Sequence, residues 1–343
     1  MEFLQNVGLF FLQTLAIVLG IIAIILTIAA LIMKNKHDKE GEVEVLNEKF
    51  DEQRDLLNSV VLNEDELKKE KKRLKTLEKE EAKSKTVKPK IYVVDFLKGD
   101  IQASPVDHLK KEVTAILAVA EKGQEVIINV ESPGGVVHGY GLAAAQILRL
   151  RDHGLRVTVC VDKVAASGGY MMACVAHKIL ASPFAIVGSI GVVAQVPNFN
   201  KVLKKYDVDY KEYTAGDYKR TVSLFGEITD KGEKKFLEQI EATHALFKSF
   251  VGRFRPQLDL AKVATGEYWF GEDALKLGLV DQICTSDEYI LKKMQDCKVI
   301  RVSFEKKPSF ADKISGAISG VLSSALQKTI QSVIDFEKSK HRP

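Results

Sequence analysis

The stretch LRVTVCVDKVAASGGYMMAC, residues 155–174, decides the fold of this 343-residue chain. It begins with a β-branched run that is typical of a buried strand. It continues through a turn of small residues, AASGGY, into a helix-length segment that we expect to reach about His177. A strand that passes through a glycine turn into a helix is the unit from which parallel sheets are built. The stretch therefore predicts an α/β domain.

The same alternation is present on the N-terminal side of this stretch. IYVVDFL (91–97) is predicted as a strand and is followed by an amphipathic segment from Val106 to Ala120. EVIINVES (125–132) is predicted as a second strand, and the turn PGG then opens a helix that reaches Arg151. Because functional groups of parallel sheets gather at the carboxyl ends of strands, the two Gly–Gly turns are predicted to lie at the functional edge.

Charge and cysteine spacing exclude several classes of protein. The 50 basic and 46 acidic residues leave a net charge of only +4, and no nucleic-acid-binding motif is present. The four cysteines form no CxxC pair, which argues against a disulfide framework or a zinc site. The chain also has no Walker loop and no HExxH motif, so neither a metal nor a nucleotide cofactor is expected.

Residues 1–36 are predicted to form an uncleaved transmembrane anchor. No charged residue occurs from Val7 to Met33, and about 20 apolar residues suffice to cross a bilayer. A cleavable signal peptide would have a basic start and a shorter apolar core, whereas this segment starts with MEFLQN. The alternative is a buried core helix. The lysines that come next, Lys34, Lys36 and Lys39, would by the positive-inside rule leave the rest of the chain in the cytoplasm.

Three further segments complete the predicted organisation. Residues 37–90 are rich in Glu, Lys and Leu and predict a charged helical stalk, either a coiled coil or a solvated helix. Residues 306–343 carry apolar side chains at amphipathic spacing, which favours a helix that packs on the protein or lies on a membrane surface. The apolar stretch 181–196 contains a proline and two glycines, so we interpret it as a buried strand–turn–strand region and not as a second span.

Ser167 is the candidate nucleophile. It lies where a strand gives way to a helix, between two small residues, and backbone N–H groups of this turn and of the neighbouring PGG turn are placed to stabilise an oxyanion. None of the seven histidines is predicted to reach it. His177 and His138 are assigned to the helices after the two glycine turns, and His244 to a polar, charged helix from about Asp230 to Phe254. A lysine in a dry, apolar site is the other available base. Lys219, in AGDYKR, is the candidate, and it follows a strand-like turn, DYKEYTAG (209–216). The alternatives are helix–sheet packing for the serine turn and simple exposure for the lysine.

The chain carries five motifs in order: ESPGG (131–135), VAASGGYMMAC (164–174), GSIGV (188–192), YTAGDYKRT (213–221) and VATGEYWFGEDALKLGLVD (263–281). This ordered set resembles the signal peptide peptidase A family of serine proteases. This resemblance implies a ClpP/crotonase-like fold in residues 91–305 and a Ser–Lys dyad. It implies that Ser167 is the nucleophile, that Lys219 is the general base and that Ser189 orients the lysine. It also implies an oxyanion hole made by Gly134 or Gly135 with the N–H of Gly168.

The resemblance implies a membrane-anchored serine endopeptidase that cleaves membrane-derived or unfolded peptides. It also implies a homo-oligomer, with the dyad formed either within one subunit or between neighbours. It places the catalytic domain on the periplasmic face of a bacterial inner membrane, against the direction indicated by the lysines after the anchor. Two other functions stay open from the sequence: a crotonase-like acyl-CoA enzyme and a catalytically silent oligomeric scaffold.

Overall fold

The computed structural model describes residue 20 and residues 41–83 and 88–304 of the chain. These residues form a mixed α/β fold, which confirms the predicted fold class at that level. The predicted anchor, residues 1–36, lies outside the described residues except for Gly20, and the predicted C-terminal helix, residues 306–343, lies wholly outside them. Within the described ranges, no helix has both the length and the apolar character needed to cross a membrane.

The described residues contain ten strands and ten helices. The strands are β1 (Glu42–Val45), β2 (Lys90–Phe96), β3 (Glu125–Val130), β4 (Arg156–Val161), β5 (Val164–Ala166), β6 (Lys178–Ala181), β7 (Ile186–Gly188), β8 (Tyr268–Phe270), β9 (Gln282–Ile283) and β10 (Lys298–Ser303). The helices are α1 (Leu46–Val61), α2 (Glu64–Lys83), α3 (Val106–Leu117), α4 (Val137–Asp152), α5 (Gly168–Ala173), α6 (Asn200–Lys205), α7 (Asp230–Phe254), α8 (Leu260–Val263), α9 (Gly271–Lys276) and α10 (Ser286–Asp296).

Seven strands form the main sheet in the order β1-β10-β2-β3-β4-β6-β9, and the pairs from β10 to β9 are parallel. Alternate side chains of each strand point to opposite faces. In β2, Tyr92 and Val94 pack into the larger core, whereas Ile91 and Val93 pack into a smaller one on the other face. Because both faces are covered, the central strands are continuous apolar runs, as the sequence predicted.

Helices cover the two faces unequally. The apolar sides of α3 and α4 fill the larger core, where Val113, Ile116 and Ile147 are buried. The smaller core is closed by Leu46 at the start of α1 and by Ile290 of α10. The face under α3 and α4 therefore carries most of the buried apolar surface.

The first described residues of the predicted stalk include β1, which belongs to the main sheet. β1 pairs with β10, and Leu46 is only 7% exposed. The Asn47 side chain donates to the carbonyl oxygens of Met294 and Cys297, both at 3.0 Å, and accepts from the N–H of Val299 at 2.8 Å. Residues Val43–Phe304 accordingly form one unit.

The rest of the predicted stalk is helical but not continuous. Between α1 and α2, Leu62 is extended, and Asn63 caps the second helix by accepting from the N–H groups of Asp65 and Glu66. The Glu66 carboxylate accepts from the N–H of Asn63 in return. This reciprocal pair is a capping box, which starts a new helix and breaks the first.

A second, three-stranded sheet, β5-β7-β8, carries the turn that contains Ser167. Two sequence expectations around it were wrong in detail. The helix after Ser167 ends at Ala173 and does not reach His177, because His177 pairs with Val157 through its backbone N–H and its ring Nδ1. The strand-like character expected just before Lys219 is absent, since residues 207–219 form turns and irregular backbone. Of the region 181–196, predicted as a buried strand–turn–strand, only β7 is a strand that lies wholly within it, since β6 ends at Ala181. Residues 189–196 have no regular secondary structure, and Val193 is 82% exposed, so this part of the prediction was wrong.

Candidate active site

Three segments of the chain end side by side at the carboxyl edge of the second sheet. The Ser132 N–H donates to the Val164 carbonyl at 2.8 Å, and the Ala166 N–H donates to the Ser132 carbonyl at 3.0 Å, so the ESPGG segment runs along β5. On the other side, the Ser167 N–H donates to the carbonyl of Gly188 at 2.8 Å. Because β5 and β7 are parallel and pair Ala166 with Gly188, each strand leads directly into a serine.

Both of these serines have an unusual backbone conformation. Ser167 and Ser189 each have φ of 51°, a region that residues with a side chain rarely adopt. Such a conformation costs about 1–3 kcal/mol and persists only where the surroundings enforce it. Both serines are half-buried, and neither hydroxyl has a hydrogen-bond partner among the described residues. The fold therefore holds two strained serines at one edge, each with its hydroxyl available for reaction.

The glycines of the two turns allow their backbones to meet. Gly134 has φ of 92°, and a Cβ at this position would lie 2.7 Å from both the backbone nitrogen of Gly168 and the Cβ of Ser167. A Cβ on Gly168 would run into the ring of Tyr140. The PGG turn therefore lies directly against the backbone of the Ser167 turn, as close as glycine permits.

A chain of hydrogen bonds between buried groups holds the PGG turn in place. The Gly134 N–H donates to Ser132 Oγ at 3.1 Å, Ser132 Oγ contacts Tyr140 Oη, and Tyr140 Oη donates to the carbonyl oxygen of Asp100 at 2.7 Å. Ser132 and Tyr140 are both fully buried. Burial raises the pKa of Tyr140 despite its bond to Ser132, so its hydroxyl stays protonated and can donate.

Two backbone N–H groups beside Ser167 are available to an incoming ligand. The Gly134 N–H is taken by Ser132, but those of Gly135 and Gly168 have no partner among the residues that the structure describes. Gly168 is buried, and a buried N–H group is normally paired, whereas Gly135 is exposed. Two such donors next to an available serine hydroxyl are what acyl transfer requires, since they can stabilise the negative oxygen of a tetrahedral intermediate.

These groups open into a cavity of about 570 Å³, within the range that is typical of ligand sites. Its wall includes Ser167, Ser189, Gly134, Gly135 and Gly168, so five of the six predicted site residues lie together. Apolar side chains form much of the remaining wall: Pro133, Val137, Met171, Val192, Val193 and Phe247.

His244 also lines this cavity, although the sequence assigned it only to a charged helix. Its ring Nε2 lies 3.2 Å from the carbonyl oxygen of Ile190, the residue after Ser189. One signal was available in the sequence: His244 lies three residues before Phe247 and seven before Val251, both buried, so the three share one face of α7. That face packs on the core next to the site.

Lys219, the sixth predicted site residue, does not line the cavity. Its side chain is exposed on a loop whose turn is closed by a bond from the Lys219 N–H to the carbonyl of Gly216 at 3.2 Å. Beside it, Glu212 accepts from Arg220 Nε and from the Tyr210 hydroxyl, both at 3.0 Å. The loop is thus tied to itself on both sides of Lys219, and the structure of a single chain does not bring Lys219 to Ser167.

In residues 41–83 and 88–304, no group of three or more His, Cys, Asp or Glu side chains is arranged to hold a metal ion. The chemistry available in the cavity is that of the serine hydroxyls, the backbone N–H groups of Gly135 and Gly168 and the ring of His244.

Comparison with known proteins agrees with this geometry. Residues 2–147 match the description "Peptidase family S49 N-terminal", and residues 149–300 match "Peptidase family S49". The chain belongs to peptidase family S49. It is a serine peptidase, which confirms the resemblance to a family of serine proteases and the peptidase activity that it implies.

Relatives of this S49 peptidase match over most of their length. The probable protease SohB of Haemophilus influenzae is 49% identical over 326 residues, which cover 91% of this chain and 92% of the relative. A probable protease SohB of Buchnera aphidicola subsp. Schlechtendalia chinensis is 43% identical over 310 residues, or 85% of this chain and 100% of the relative. Among solved structures, a mutant of the 1510-N membrane-bound stomatin-specific protease in complex with a substrate peptide has a TM-score of 0.40 and 16% identity, and covers 68% of this chain and 100% of that chain.

Proposed function

We propose that this S49 peptidase is an endopeptidase with a Ser–Lys dyad, in which Ser167 is the nucleophile and Lys219 the general base. The observation that carries the proposal is the strained Ser167 turn, which presents an available hydroxyl beside the N–H groups of Gly135 and Gly168. These two N–H groups form the oxyanion hole. Gly134 contributes by letting the two turns touch, because its own N–H is occupied by Ser132.

The reaction proceeds through an acyl-enzyme. Ser167 Oγ attacks the peptide carbonyl carbon while its proton passes to Lys219 Nζ, and the carbonyl oxygen becomes an oxyanion that accepts from Gly135 and Gly168. Collapse of this intermediate breaks the C–N bond, and the lysine returns the proton to the leaving amine. Water then hydrolyses the ester, with Lys219 taking the proton of the water and returning it to Ser167 Oγ. Ser189 hydrogen-bonds to Lys219 and so orients it.

We place Lys219 of a neighbouring subunit at each Ser167, in a homo-oligomer. Within one chain Lys219 is exposed and away from the cavity. The stretch around it also exposes large apolar side chains, which mark interaction surfaces when they cluster. Tyr206, Val208, Tyr210, Tyr213 and Tyr218 are 42–90% exposed. A surface of this kind next to the general base supports an interface that completes the active site.

The fold supports assignment to the ClpP/crotonase-like group, with parallel strands of two sheets leading into the site. For the N-terminal segment we propose a single-pass anchor in the bacterial inner membrane, based on the charge-free run from Val7 to Met33. The catalytic domain faces the periplasm and acts on membrane-derived or unfolded peptides. The lysines after the anchor favour the opposite side by the positive-inside rule, so topology needs its own test.

Subunit mixing tests the dyad and its location. The full chain is purified in detergent as Ser167→Ala, as Lys219→Ala and as the two co-expressed, and casein hydrolysis is measured. Each single variant is expected to be inactive, and the mixture to recover about a quarter of wild-type activity if each site joins two subunits at random. Casein hydrolysis by Ser167→Ala, or labelling of this variant by a fluorophosphonate probe, contradicts the assignment of Ser167 as the nucleophile. No recovery at any mixing ratio places the dyad within one chain.

Topology is tested by two C-terminal fusions of the full chain, to alkaline phosphatase and to a fluorescent protein that folds only in the cytoplasm. Phosphatase activity without fluorescence supports the periplasmic orientation. Fluorescence without phosphatase activity overturns it.

A further inference from the structure

Two buried side chains lie directly beneath the proposed oxyanion hole and have no assigned role in the reaction. Ser132 and Tyr140 are both 0% exposed, and they belong to different elements, the ESPGG segment and α4. Buried hydroxyl groups are costly unless they are paired. These two are paired with each other and, through each other, with the backbone of the site.

The groups at the two ends of this chain of hydrogen bonds determine which atom donates in each bond. The carbonyl of Asp100 can only accept, so the Tyr140 hydroxyl donates to it. Tyr140 Oη is then left to accept from the Ser132 hydroxyl, and Ser132 Oγ accepts from the N–H of Gly134. One ordered chain therefore runs from the PGG turn to the Asp100 carbonyl. It holds the Pro133–Gly134 peptide in place, and Gly134 joins this peptide to the next one, which carries the N–H of Gly135.

The ring of Tyr140 acts on the other half of the oxyanion hole. It lies against Gly168 so closely that a Cβ there would overlap it. The ring is packed edge-on against Phe96, with 6.3 Å between ring centroids, so it cannot easily move away. One side chain thus supports both oxyanion donors: its hydroxyl fixes the turn of Gly135, and its ring supports Gly168.

We propose that Tyr140, acting with Ser132, is a positioning residue that sets the distance between the two oxyanion N–H donors. Neither side chain touches the substrate. This inference rests on the proposed function, because it assumes that Gly135 and Gly168 stabilise the oxyanion. Its effect is expected in the transition state and not in substrate binding, since the oxyanion forms only after attack.

The test compares Tyr140→Phe with Tyr170→Phe in the full chain. Tyr170 is a matched control: it is also fully buried, and its hydroxyl donates to a backbone carbonyl, that of Leu279, at 2.9 Å. Each variant loses one buried hydroxyl, but only Tyr140 is connected to the PGG turn. For a fluorogenic peptide that the wild type cleaves, Tyr140→Phe is expected to lower kcat by about 10-fold or more with KM changed less than about twofold. Tyr170→Phe is expected to change neither.

Two inhibitors distinguish a loss of oxyanion stabilisation from a general disturbance of the active site. A peptide aldehyde forms a tetrahedral adduct with an oxyanion, whereas the matching peptide alcohol does not. In Tyr140→Phe, the inhibition constant of the aldehyde is expected to rise by the same factor by which kcat/KM falls, and that of the alcohol to stay constant. In a double-mutant cycle, Ser132→Ala and Tyr140→Phe together are expected to cost no more than the larger single effect, because both break one chain.

The inference is overturned if Tyr140→Phe and Tyr170→Phe have equal kinetics, or if aldehyde and alcohol weaken together. Its failure is distinct from failure of the proposed function. If Ser167→Ala is inactive while Tyr140→Phe behaves as wild type, the assignment of Ser167 as nucleophile is supported and the positioning role of Tyr140 is refuted. If Ser167→Ala is active, the proposed function itself fails.

Discussion

Replacing Gly134 by alanine tests whether the contact between the two turns is required for catalysis. In the structure, φ of Gly134 is 92°, and an added Cβ would lie 2.7 Å from the Gly168 nitrogen and from Ser167 Cβ. Both neighbours are parts of the proposed catalytic turn. Gly123 offers a matched control, since its φ is 85° and a Cβ there would have nothing within 4 Å. Both substitutions carry the energetic cost of an alanine with positive φ, but only Gly134→Ala also creates a steric overlap.

The expected magnitudes depend on this difference. An alanine with positive φ costs about 1–2 kcal/mol, which is the whole cost expected for Gly123→Ala. Overlap with backbone that cannot move adds about 1–3 kcal/mol at Gly134. The sum for Gly134→Ala is about 2–5 kcal/mol if the turn does not yield. If the turn yields, the Gly168 N–H shifts, and a displacement near 1 Å costs about 100-fold in rate.

The assay combines stability with activity of the folded fraction. Urea unfolding of the detergent-solubilised chain is followed by fluorescence of Trp269, the single tryptophan, which packs on the core. Peptide hydrolysis is then measured at urea concentrations where each variant is folded. Gly134→Ala is expected to lose stability, activity or both beyond Gly123→Ala. If both variants unfold at the same urea concentration and Gly134→Ala keeps kcat/KM within about twofold, the two turns are not in the contact that the structure describes.

Three further outcomes are expected from the structure. Arg255 is 4% exposed and bonded to both carboxylate oxygens of Asp281 at 2.7 and 2.8 Å. Because the Asp281 side chain is 32% exposed and stays solvated when its partner is removed, Arg255→Met is expected to destabilise the fold by about 1–3 kcal/mol in urea unfolding. Burial raises the pKa of Glu125, but bonds from Lys293 and two hydroxyl groups outweigh it and hold that pKa below its ordinary 4.5. The stability that Glu125 contributes is therefore present above pH 4.5 and lost as pH falls through the lowered pKa, and Glu125→Gln is expected to flatten this acid dependence of urea unfolding. Glu212→Gln is expected to lower kcat for peptide hydrolysis by about 10-fold, with fluorophosphonate labelling of Ser167 retained, because it loosens the loop that carries Lys219, the proposed general base.

Local sequence patterns were sufficient for the central strands and their helices. β2, β3 and β4 are buried on both faces, so their apolar runs are unbroken and indicate strands. The helix predicted between Asp230 and Phe254 has those bounds in the structure, since its charged and apolar residues alternate with a helical period. The Ser167 turn was also recognisable, because small residues at the end of a predicted strand are a local signal.

Features built from distant residues were not predictable in this way. β1 joins the sheet beside Asn47, which bonds to residues about 250 positions away, and nothing in the local pattern of a charged segment indicates such a partner. The same holds for Tyr140 and Asp100, which lie 40 positions apart. Lys219 was identified from a motif, but its relation to Ser167 depends on contacts beyond a single chain in the arrangement that we propose.

The two serines of the site show why residue type and turn geometry alone do not identify a nucleophile. Ser167 and Ser189 come directly after paired parallel strands and share φ of 51°. They differ in the next residue and in its contacts: after Ser189 comes buried Ile190, whose carbonyl contacts His244. After Ser167 comes Gly168, which lies directly against the PGG turn. In the site that we propose, Ser167 therefore has one oxyanion donor from its own turn and one from the PGG turn. Because the second donor belongs to a separate segment, the proposed nucleophile is a property of the assembled edge and not of either serine motif.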